Sequence, residues 1–249
     1  MNGPVFTVET EQKLRQGKNV ASGDEELWVL VPVKSLAHAK QRLADCMGAD
    51  REGLTIAMLK DVLKALADSS KVLRVVIVTA DPKVKMIAEQ GSALVIEEKS
   101  STGMNVAIHL GIGVIRKLGA IRVVILPADI PLMTGAEFDR IAGLFEHEAQ
   151  NETGGYIGIS PSSDEGGTNC LFLDPRRAFT FRYGPDSFNL HRASAAKCGQ
   201  RPISLYSSTI SMDIDERQDV DALQSFCLQN PEFQETATWK FLRQTGRTG

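Results

Sequence analysis

Three acidic residues stand where buried segments of the chain end. Asp129 follows the apolar run "VVIL" and lies between two prolines, and Asp213 and Asp215 flank Ile214 in "SMDID". In an extended segment, residues two apart point to the same face, so Asp213 and Asp215 would present their carboxylates together. A set of carboxylate oxygens of this kind is suited to Mg²⁺. The three aspartates are therefore predicted to form a metal site.

Each acidic residue also has a simpler structural explanation. Asp215 stands three residues before Gln218, which is the spacing of a capping box. Its role could therefore be limited to capping the following helix. Asp129 could end its strand in a turn made by its own side chain. Asp81, which precedes Pro82 after an earlier apolar run, is interpreted as a turn residue. The sequence leaves these alternatives open.

Three cationic residues follow the first apolar run, in "VPVKSLAHAKQRL": Lys34, Lys40 and Arg42. Cations grouped beyond one strand end would neutralise a triphosphate, so that an anionic nucleophile could approach it. A solvated basic helix face is the alternative. The chain has no G-x-x-x-x-G-K-[ST] sequence and no G-x-G-x-x-G after this run. A P-loop NTPase is therefore excluded.

Two loops in the second half of the chain could hold an anion. In "DEGGTNCLFL" the paired glycines could direct backbone N–H groups at an anion and Thr168 would add a hydroxyl, although a hairpin turn uses the same pair. In "RYGPDSFNLH", Gly184 precedes a predicted helix whose first amides, with Ser187, could hold a phosphate or carboxylate. An ordinary helix cap at Asp186 or Ser187 is the alternative. His191, one turn into this helix, is a candidate ligand, with packing as the alternative.

No nucleophile and base occur together in a motif such as G-x-S-x-G or H-E-x-x-H. A substrate phosphate is already anionic at neutral pH, so it needs no protein base in order to act as a nucleophile. A protein that supports such an attack supplies position, metal and cations, as in phosphoryl transfer. The acids, cations and anion-binding loops are the parts that this reaction uses.

Alternating strand and helix patterns must position these groups. From residue 27 onward, apolar runs of strand length alternate with helical periodicity, which predicts an α/β fold with a mostly parallel sheet. Ligands of such sheets bind beyond the carboxyl ends of the strands. Shorter strands in the second half are predicted to extend the same sheet, and a late strand over "RPISLYSSTISMDID" would carry Asp213 and Asp215. Residues 1–26 are predicted to be a flexible arm, 27–228 the domain, and 229–249 a peripheral tail.

Composition narrows the classes of partner. The net charge of −3 argues against a protein that binds nucleic acid or an anionic membrane. The four cysteines lie far apart and form no C-x-x-C pair, which indicates reduced thiols of the cytoplasm. No apolar run approaches the ~20 residues of a membrane span. We therefore expect a cytoplasmic protein. The sequence leaves its oligomeric state open and is compatible with a small homodimer.

Five motifs together resemble, in family order, the phospholactate guanylyltransferases of coenzyme F420 biosynthesis. They are "VPVKSLAHAKQRLA", "LPADIPLM", "DEGGTN", "GPDSFNLH" and "MDIDERQDVDAL", and they cover roughly residues 27–228. The resemblance implies a single-domain, Rossmann-like nucleotidyltransferase of the glycosyltransferase-A-like type. It implies transfer of GMP from GTP to a phosphorylated three-carbon acid, with release of pyrophosphate. That acid is 2-phospho-L-lactate, phosphoenolpyruvate or 3-phospho-D-glycerate in different members.

The resemblance also implies roles for particular residues. Those that would hold Mg²⁺ and the phospho-acid are, respectively, Asp129, Asp213 and Asp215, and Thr168, Gly184 and Ser187. Those that would contact the triphosphate and the rest of the nucleotide are Lys34, Lys40 and Arg42, and Val33, Lys34 and Asn105. The chain has "PVKSL" where the wider superfamily usually has a glycine-rich loop. A nucleotidyltransferase for another phosphate acceptor, or a non-catalytic nucleotide-binding protein on the same fold, is the alternative.

Overall fold

A seven-stranded mixed sheet forms the centre of the structure, a computed structural model that describes residues 27–100, 103–149 and 155–246. The strands are β1 (Leu27–Pro32), β2 (Val72–Thr79), β3 (Leu94–Glu97), β4 (Val123–Ile125), β5 (Gly155–Pro161), β6 (Thr168–Leu173) and β7 (Gln200–Ser204). Their order in the sheet is β3-β2-β1-β4-β6-β5-β7. Only β6 among these strands runs antiparallel to its neighbours. The predicted α/β class with a mixed, mostly parallel sheet is confirmed.

Helices cover both faces of the sheet. The α-helices of the described residues are α1 (Ala44–Met47), α2 (Arg51–Asp68), α3 (Pro82–Gln90), α4 (Met104–Lys117), α5 (Gly135–Ala149), α6 (Ser187–Lys197), α7 (Arg217–Gln229) and α8 (Ala237–Gln244). Short 3₁₀ helices span Leu36–His38, Gln41–Leu43, Gly48–Asp50 and Pro231–Glu235. Helices α2, α3 and α5 pack on one face, and α4 and α6 pack on the other. None of the helices in the described residues combines the length and apolarity that a membrane span requires.

The central strand shows why continuous apolar runs became strands. Every residue of β1 is buried. Val29 and Val31 belong to the core on one face of the sheet, whereas Trp28 and Leu30 belong to the core on the other face. A strand covered on both faces needs apolar residues at every position, which removes the alternation of a half-exposed strand.

The strand order creates a topological switch point between β1 and β4. The chain passes from β1 to β2 and β3 on one side, and then returns to pair β4 with the other side of β1. The carboxyl ends of β1 and β4 are therefore adjacent at this point, and α/β sheets bind their ligands beyond the carboxyl ends of the strands. Because β6 runs antiparallel to β4, its first residues lie at this same edge of the sheet.

The predicted late strand is wrong in its second part. Strand β7 ends at Ser204, and the chain up to Asp215 has no regular structure. Strand β7 is the edge of the sheet and β4 lies three strands away, so this segment must cross the ends of the strands to reach Asp129. The backbone N–H of Ile214 donates to the Asp129 carbonyl at 3.0 Å, which anchors the crossing segment beside β4.

The predicted peripheral tail is corrected by the structure up to residue 246. Asp61 of α2 accepts hydrogen bonds from the backbone N–H groups of Ala237 (2.7 Å) and Thr238 (2.8 Å) at the start of α8. Trp239 and Leu242 are buried in a third apolar cluster with α2 and α7. The packed domain therefore continues beyond the predicted boundary at residue 228. The predicted arm, residues 1–26, lies outside the described residues.

Candidate active site

Asp129 lies just beyond β4, at the switch point. Its Oδ2 atom accepts a hydrogen bond from the Lys40 ammonium, and its Oδ1 atom is buried with no hydrogen-bond partner among the described residues. Neither carboxylate oxygen accepts from a backbone N–H group in this part of the chain, so the alternative of a simple side-chain turn is not supported. A buried carboxylate oxygen without a partner is costly unless a ligand satisfies it.

Asp213 is held against β6 by an amide. The Asn169 side chain, itself buried, donates to Oδ1 of Asp213 at 2.9 Å and to the Ile210 carbonyl at 3.0 Å. Burial, followed by the negative charges of Asp129 and Asp215, raises the pKa of Asp213 to about 6. The three predicted aspartates are therefore close enough to repel one another, although they come from distant parts of the chain. The sequence did not indicate Asn169 as their support.

Lys40 occupies the space between two of these carboxylates. Its ammonium contacts Asp129 and lies 2.6 Å from Oδ1 of Asp215, and its side chain is only 7% exposed. Burial opposes the charge of Lys40, but the carboxylates of Asp129 and Asp215 outweigh it and raise the pKa of the lysine. The backbone of Lys40 has a φ of 49°, in the left-handed region that non-glycine residues rarely adopt. Local strain thus accompanies the placement of this cation.

The Asp215 carboxylate can contact Lys40 because the neighbouring residue, Glu216, caps the helix. The N-cap of α7 is Glu216, in a capping box with Asp219. The Asp219 carboxylate accepts from the backbone N–H groups of Asp215 (2.8 Å) and Glu216 (2.7 Å). The alternative in which Asp215 caps the helix with Gln218 is therefore wrong by one residue, because the capping box is formed by Glu216 and Asp219.

The three predicted cations do not act as one group in the structure. Arg42 pairs with Glu216 at 2.8 Å, and both side chains are at least half exposed. Lys34 is exposed and has no ionic partner within the described ranges; it lies in a small cleft with Gly103 and Met104 at the start of α4. Of these three described cations, only Lys40 contacts the predicted aspartates. Contacts of these residues with a triphosphate stay a prediction.

Asp81 anchors the loop that carries Lys34 and Lys40. Its Oδ1 atom accepts from the backbone N–H of Lys83 at 2.9 Å and caps α3, as its turn position suggested. Its Oδ2 atom accepts from the backbone N–H of Leu36 at 2.9 Å, 45 residues earlier in the chain. The interpretation as a local turn residue therefore captured only half of its contacts, because sequence spacing carries no signal for the second.

Thr168 and Ser187, predicted to hold the phospho-acid, meet in the structure. Their hydroxyl oxygens lie 3.3 Å apart, and both residues are buried. A register shift at Ser160/Pro161 leaves Asn169 as an extra residue in β6. Such bulges redirect side chains near active sites. Here Thr168 contacts Ser187, and the adjacent Asn169 contacts Asp213. The first two residues of β6 therefore connect the predicted phospho-acid site with the aspartates.

The Gly184 turn leads directly into α6. Gly184 has a φ of 134°, which favours glycine, and its carbonyl accepts from the backbone N–H of Ser187 at 3.2 Å. No side-chain hydrogen bond from Asp186 caps the helix. Ser187 is the first helical residue, so its hydroxyl and the first amides lie at the positive end of the helix, where anions are stabilised.

The paired glycines do not form an anion cradle. The N–H of Gly166 donates to the Asp164 carboxylate at 2.9 Å, and the N–H of Gly167 donates to the Ser162 hydroxyl at 2.6 Å. A Cβ atom on Gly167 would lie 2.7 Å from that hydroxyl oxygen, so glycine is required by close approach. The hairpin alternative is therefore correct for the glycine pair, because both amides are already used, whereas the predicted contact of Thr168 with the phospho-acid stays a prediction.

Asn105 and Val33 have structural partners. The Asn105 side chain donates to the Tyr183 carbonyl (3.0 Å) and accepts from the Tyr183 N–H (2.9 Å), which ties α4 to the segment before Gly184. Val33 is buried and continues the ladder beyond β1 through a hydrogen bond from its N–H to the Val78 carbonyl at 2.9 Å. Their predicted contacts with the nucleotide stay predictions.

The donor set is chemically suited to a hard cation, but its present geometry is not that of a metal site. No group of three Asp, Glu, His or Cys side chains within the described residues is arranged to hold a metal ion. The Lys40 ammonium lies between Asp129 and Asp215, where a cation would bind. The unpartnered Oδ1 of Asp129 and the mutual repulsion felt by Asp213 both favour a further cation.

The raised pKa of Asp213 predicts that Asp213→Asn stabilises the protein. The ionised carboxylate is disfavoured in the folded state, so at pH 7.5 the variant should melt about 2 to 6 °C higher than the wild type in metal-free buffer. The asparagine still accepts from Asn169. Since Asp213 is protonated below its pKa of about 6, the difference should shrink as the pH falls toward 4. Melting curves at pH 7.5 and 4.5 test this, and an unchanged or lower melting temperature at pH 7.5 contradicts it.

Comparison with known proteins gives a matching family model and relatives that align over most of their length. It matches the family model described as "Guanylyl transferase CofC like" over residues 27–246. The phosphoenolpyruvate guanylyltransferase of Conexibacter woesei is 34% identical over 197 residues, which cover 79% of this chain and 86% of the relative. The 2-phospho-L-lactate guanylyltransferase of Methanothermobacter thermautotrophicus is 33% identical over 193 residues, which cover 77% and 81%.

Solved structures share the fold at low sequence identity. A protein from Desulfovibrio desulfuricans G20 designated a nucleotide-diphospho-sugar transferase superimposes with a TM-score of 0.66 and 17% identity, over 90% of this chain and 96% of that one. A nucleotidyl transferase from Methanothermobacter thermautotrophicus gives a TM-score of 0.57 and 14% identity, over 83% and 99%. At such identities these similarities establish the architecture alone.

Proposed function

Because this chain belongs to the CofC-like guanylyl transferase family, we propose that it transfers GMP from GTP to the phosphate of a three-carbon acid. The acid is phosphoenolpyruvate, 2-phospho-L-lactate or 3-phospho-D-glycerate, and the product serves coenzyme F420 biosynthesis. A phosphate oxygen of the acid attacks the α-phosphorus of GTP and forms a new P–O bond. The bond to the bridging oxygen breaks, and pyrophosphate leaves with its electron pair.

The arrangement at the start of β6 carries the proposal. Thr168 faces the hydroxyl of Ser187 at the positive end of α6, and its neighbour Asn169 holds Asp213 among the three carboxylates. A phospho-acid bound at the two hydroxyls would therefore lie close to the three carboxylates, because Thr168 and Asn169 are adjacent in β6. The phosphate nucleophile is anionic at neutral pH, so the site needs position and positive charge more than a base.

Asp129, Asp213 and Asp215 would hold Mg²⁺, which would supply positive charge to the reacting phosphates and the departing pyrophosphate. Lys40 would then turn its ammonium from these carboxylates toward the triphosphate. Lys34, exposed at the same edge of the sheet, would add a second cation. Arg42 would follow only by leaving Glu216, its partner in the structure. Their shared role is to neutralise charge that builds up on the pyrophosphate.

A panel of acceptors tests the proposed function. The protein is incubated with GTP, MgCl₂ and each of the three acids in separate reactions, and pyrophosphate release is measured. We expect release with at least one acid, at a rate well above that with GTP alone. Parallel reactions with ATP, CTP and UTP establish the choice of nucleotide. No release from GTP with any of the acids overturns the specific proposal, whereas release from another nucleotide favours a different nucleotidyltransferase.

A further inference from the structure

His191 lies in the wall behind the proposed phospho-acid site. It belongs to the second turn of α6 and is fully buried. Its Nδ1 atom lies 2.9 Å from the hydroxyl oxygen of Thr168, and its Nε2 atom lies 2.9 Å from the backbone nitrogen of Arg182. The ring packs edge-on against Tyr183, with 4.7 Å between the ring centroids. Both ring nitrogens are therefore engaged, and each contacts a segment of the site.

The contact with Arg182 determines the tautomer of the ring. A backbone N–H can only donate, so Nε2 of His191 must carry a lone pair. Burial lowers the pKa of His191 to about 4, so the ring is neutral at physiological pH. A neutral ring without a proton on Nε2 carries it on Nδ1. The histidine consequently donates to the Thr168 oxygen and does not accept from it.

This direction decides how many hydroxyl protons remain for a ligand. Thr168 and Ser187 have two hydroxyl protons between them, and their mutual hydrogen bond uses one. If His191 donates to Thr168, the second proton stays available on whichever hydroxyl is not the donor. If Nδ1 were an acceptor, Thr168 would donate to the ring and Ser187 to Thr168, which would leave none. The tautomer thus converts the hydroxyl pair into a donor for an anionic oxygen.

The same ring also holds the approach to Gly184. His191 accepts from the N–H of Arg182, and Asn105 engages both backbone groups of the next residue, Tyr183. Two side chains from two different helices, Asn105 of α4 and His191 of α6, therefore restrain the segment that enters the turn at Gly184. Side chains that orient the groups in contact with a ligand commonly contribute to affinity without touching it.

We propose that His191 is a positioning residue for the phospho-acid, which directs a hydroxyl proton of the Thr168–Ser187 pair at a carboxylate or phosphate oxygen of that substrate. The inference rests on the proposed function, because it concerns the acceptor of the same reaction. His191 acts through Thr168, and it makes no contact with the nucleotide. Its loss should therefore affect the acid and leave GTP unaffected.

Two substitutions separate the contacts of the ring. In His191→Asn, the amide nitrogen can replace Nδ1 and donate to Thr168, while the bond from Arg182 is lost. In His191→Gln, the longer side chain can accept from Arg182, while the donor to Thr168 is lost. We expect the KM for the acid to rise about 10-fold in His191→Gln and to stay within about threefold of wild type in His191→Asn. The KM for GTP should stay unchanged in both.

A double-mutant cycle tests whether His191 acts through Thr168. Thr168→Val removes the hydroxyl and should raise the KM for the acid by at least as much as His191→Gln. The combined variant should then be no worse than Thr168→Val alone, since the histidine has lost its target. Melting temperatures of all variants identify any loss that comes from misfolding. Independent effects in the cycle, or equal rises in the KM of both substrates, overturn the proposal.

The tautomer is measurable without turnover. In ¹⁵N-labelled wild-type protein at pH 7, the ring-nitrogen shifts of His191, assigned by comparison with His191→Gln, should show a proton on Nδ1 alone. A proton on Nε2 overturns the proposal whether or not any acid reacts. If the wild type releases no pyrophosphate, the proposed function fails separately. Calorimetric binding of phosphoenolpyruvate to the same variants then replaces the KM, and equal affinity of His191→Gln and wild type overturns the role of His191.

Discussion

Asp129→Asn should lower the turnover number by at least about 1,000-fold while the protein stays folded. The substitution keeps the size of the side chain but removes the negative charge at the switch point between β1 and β4. The unpartnered Oδ1 atom of Asp129 is the position at which a ligand has most to gain. Initial rates of pyrophosphate release, measured with saturating GTP and acid, give the turnover number, and circular dichroism reports the fold.

Asp139→Asn is the matched control. Asp139 is also a partly buried carboxylate, but it hydrogen-bonds Ser69 and Ser70 before β2, at the opposite end of the strands from Asp129. We expect that variant to lose stability and to keep its turnover number within about twofold. If Asp129→Asn retains the activity of the wild type, Asp129 is a structural residue and the metal site is assigned to the wrong strand end.

Lys40→Met should destabilise the metal-free protein by about 2 to 3 kcal/mol. The methionine replaces the aliphatic stem, but Asp129 and Asp215 lose the ammonium that lies between them. A buried carboxylate whose partner is removed keeps its desolvation cost without the compensating attraction. Added MgCl₂ should recover more stability in this variant than in the wild type, because the metal no longer competes with the ammonium. Urea unfolding with and without MgCl₂ measures both effects.

Arg42→Met provides the comparison two residues away. The ion pair between Arg42 and Glu216 is largely exposed, and exposed pairs contribute little. Its loss should change the free energy of unfolding by less than about 0.5 kcal/mol, with no difference in the response to MgCl₂. Equal effects of the two substitutions would contradict the special position of Lys40. Turnover of Lys40→Met should also fall, by about 100-fold.

Local periodicity predicted the elements well, because their residues carry the signal themselves. Helix α3 begins at Pro82 and ends at Gln90, and the sequence itself marks these bounds with a proline at the start and a glycine beyond the end. The segment before Asp215 was predicted as a strand, yet it crosses the sheet ends. Its apolar residues are buried by other elements, so they imitate the pattern of a strand. Periodicity reports burial, and it does not report which element provides it.

The candidate site was predictable in its acids but not in their partners. Strand ends identified Asp129, and alternation around Ile214 identified Asp213 and Asp215 as neighbours. Lys40 was predicted to face a triphosphate, whereas in the structure it neutralises Asp129 and Asp215. Such a pairing depends on the fold over separations of 89 and 175 residues, for which one sequence has no signal.

Those separations have a consequence for how the protein is made. Lys40 and Asp129 leave the ribosome well before Asp215, so an incomplete chain carries one carboxylate of the centre without the others. Strand β6, which supplies Thr168 and Asn169, pairs with both β4 and β5, so the acceptor side requires all three strands. The centre is therefore complete only after residue 215 has been synthesised. A truncated or stalled chain would have the first strands and their loops, but it would lack the means to transfer a nucleotide.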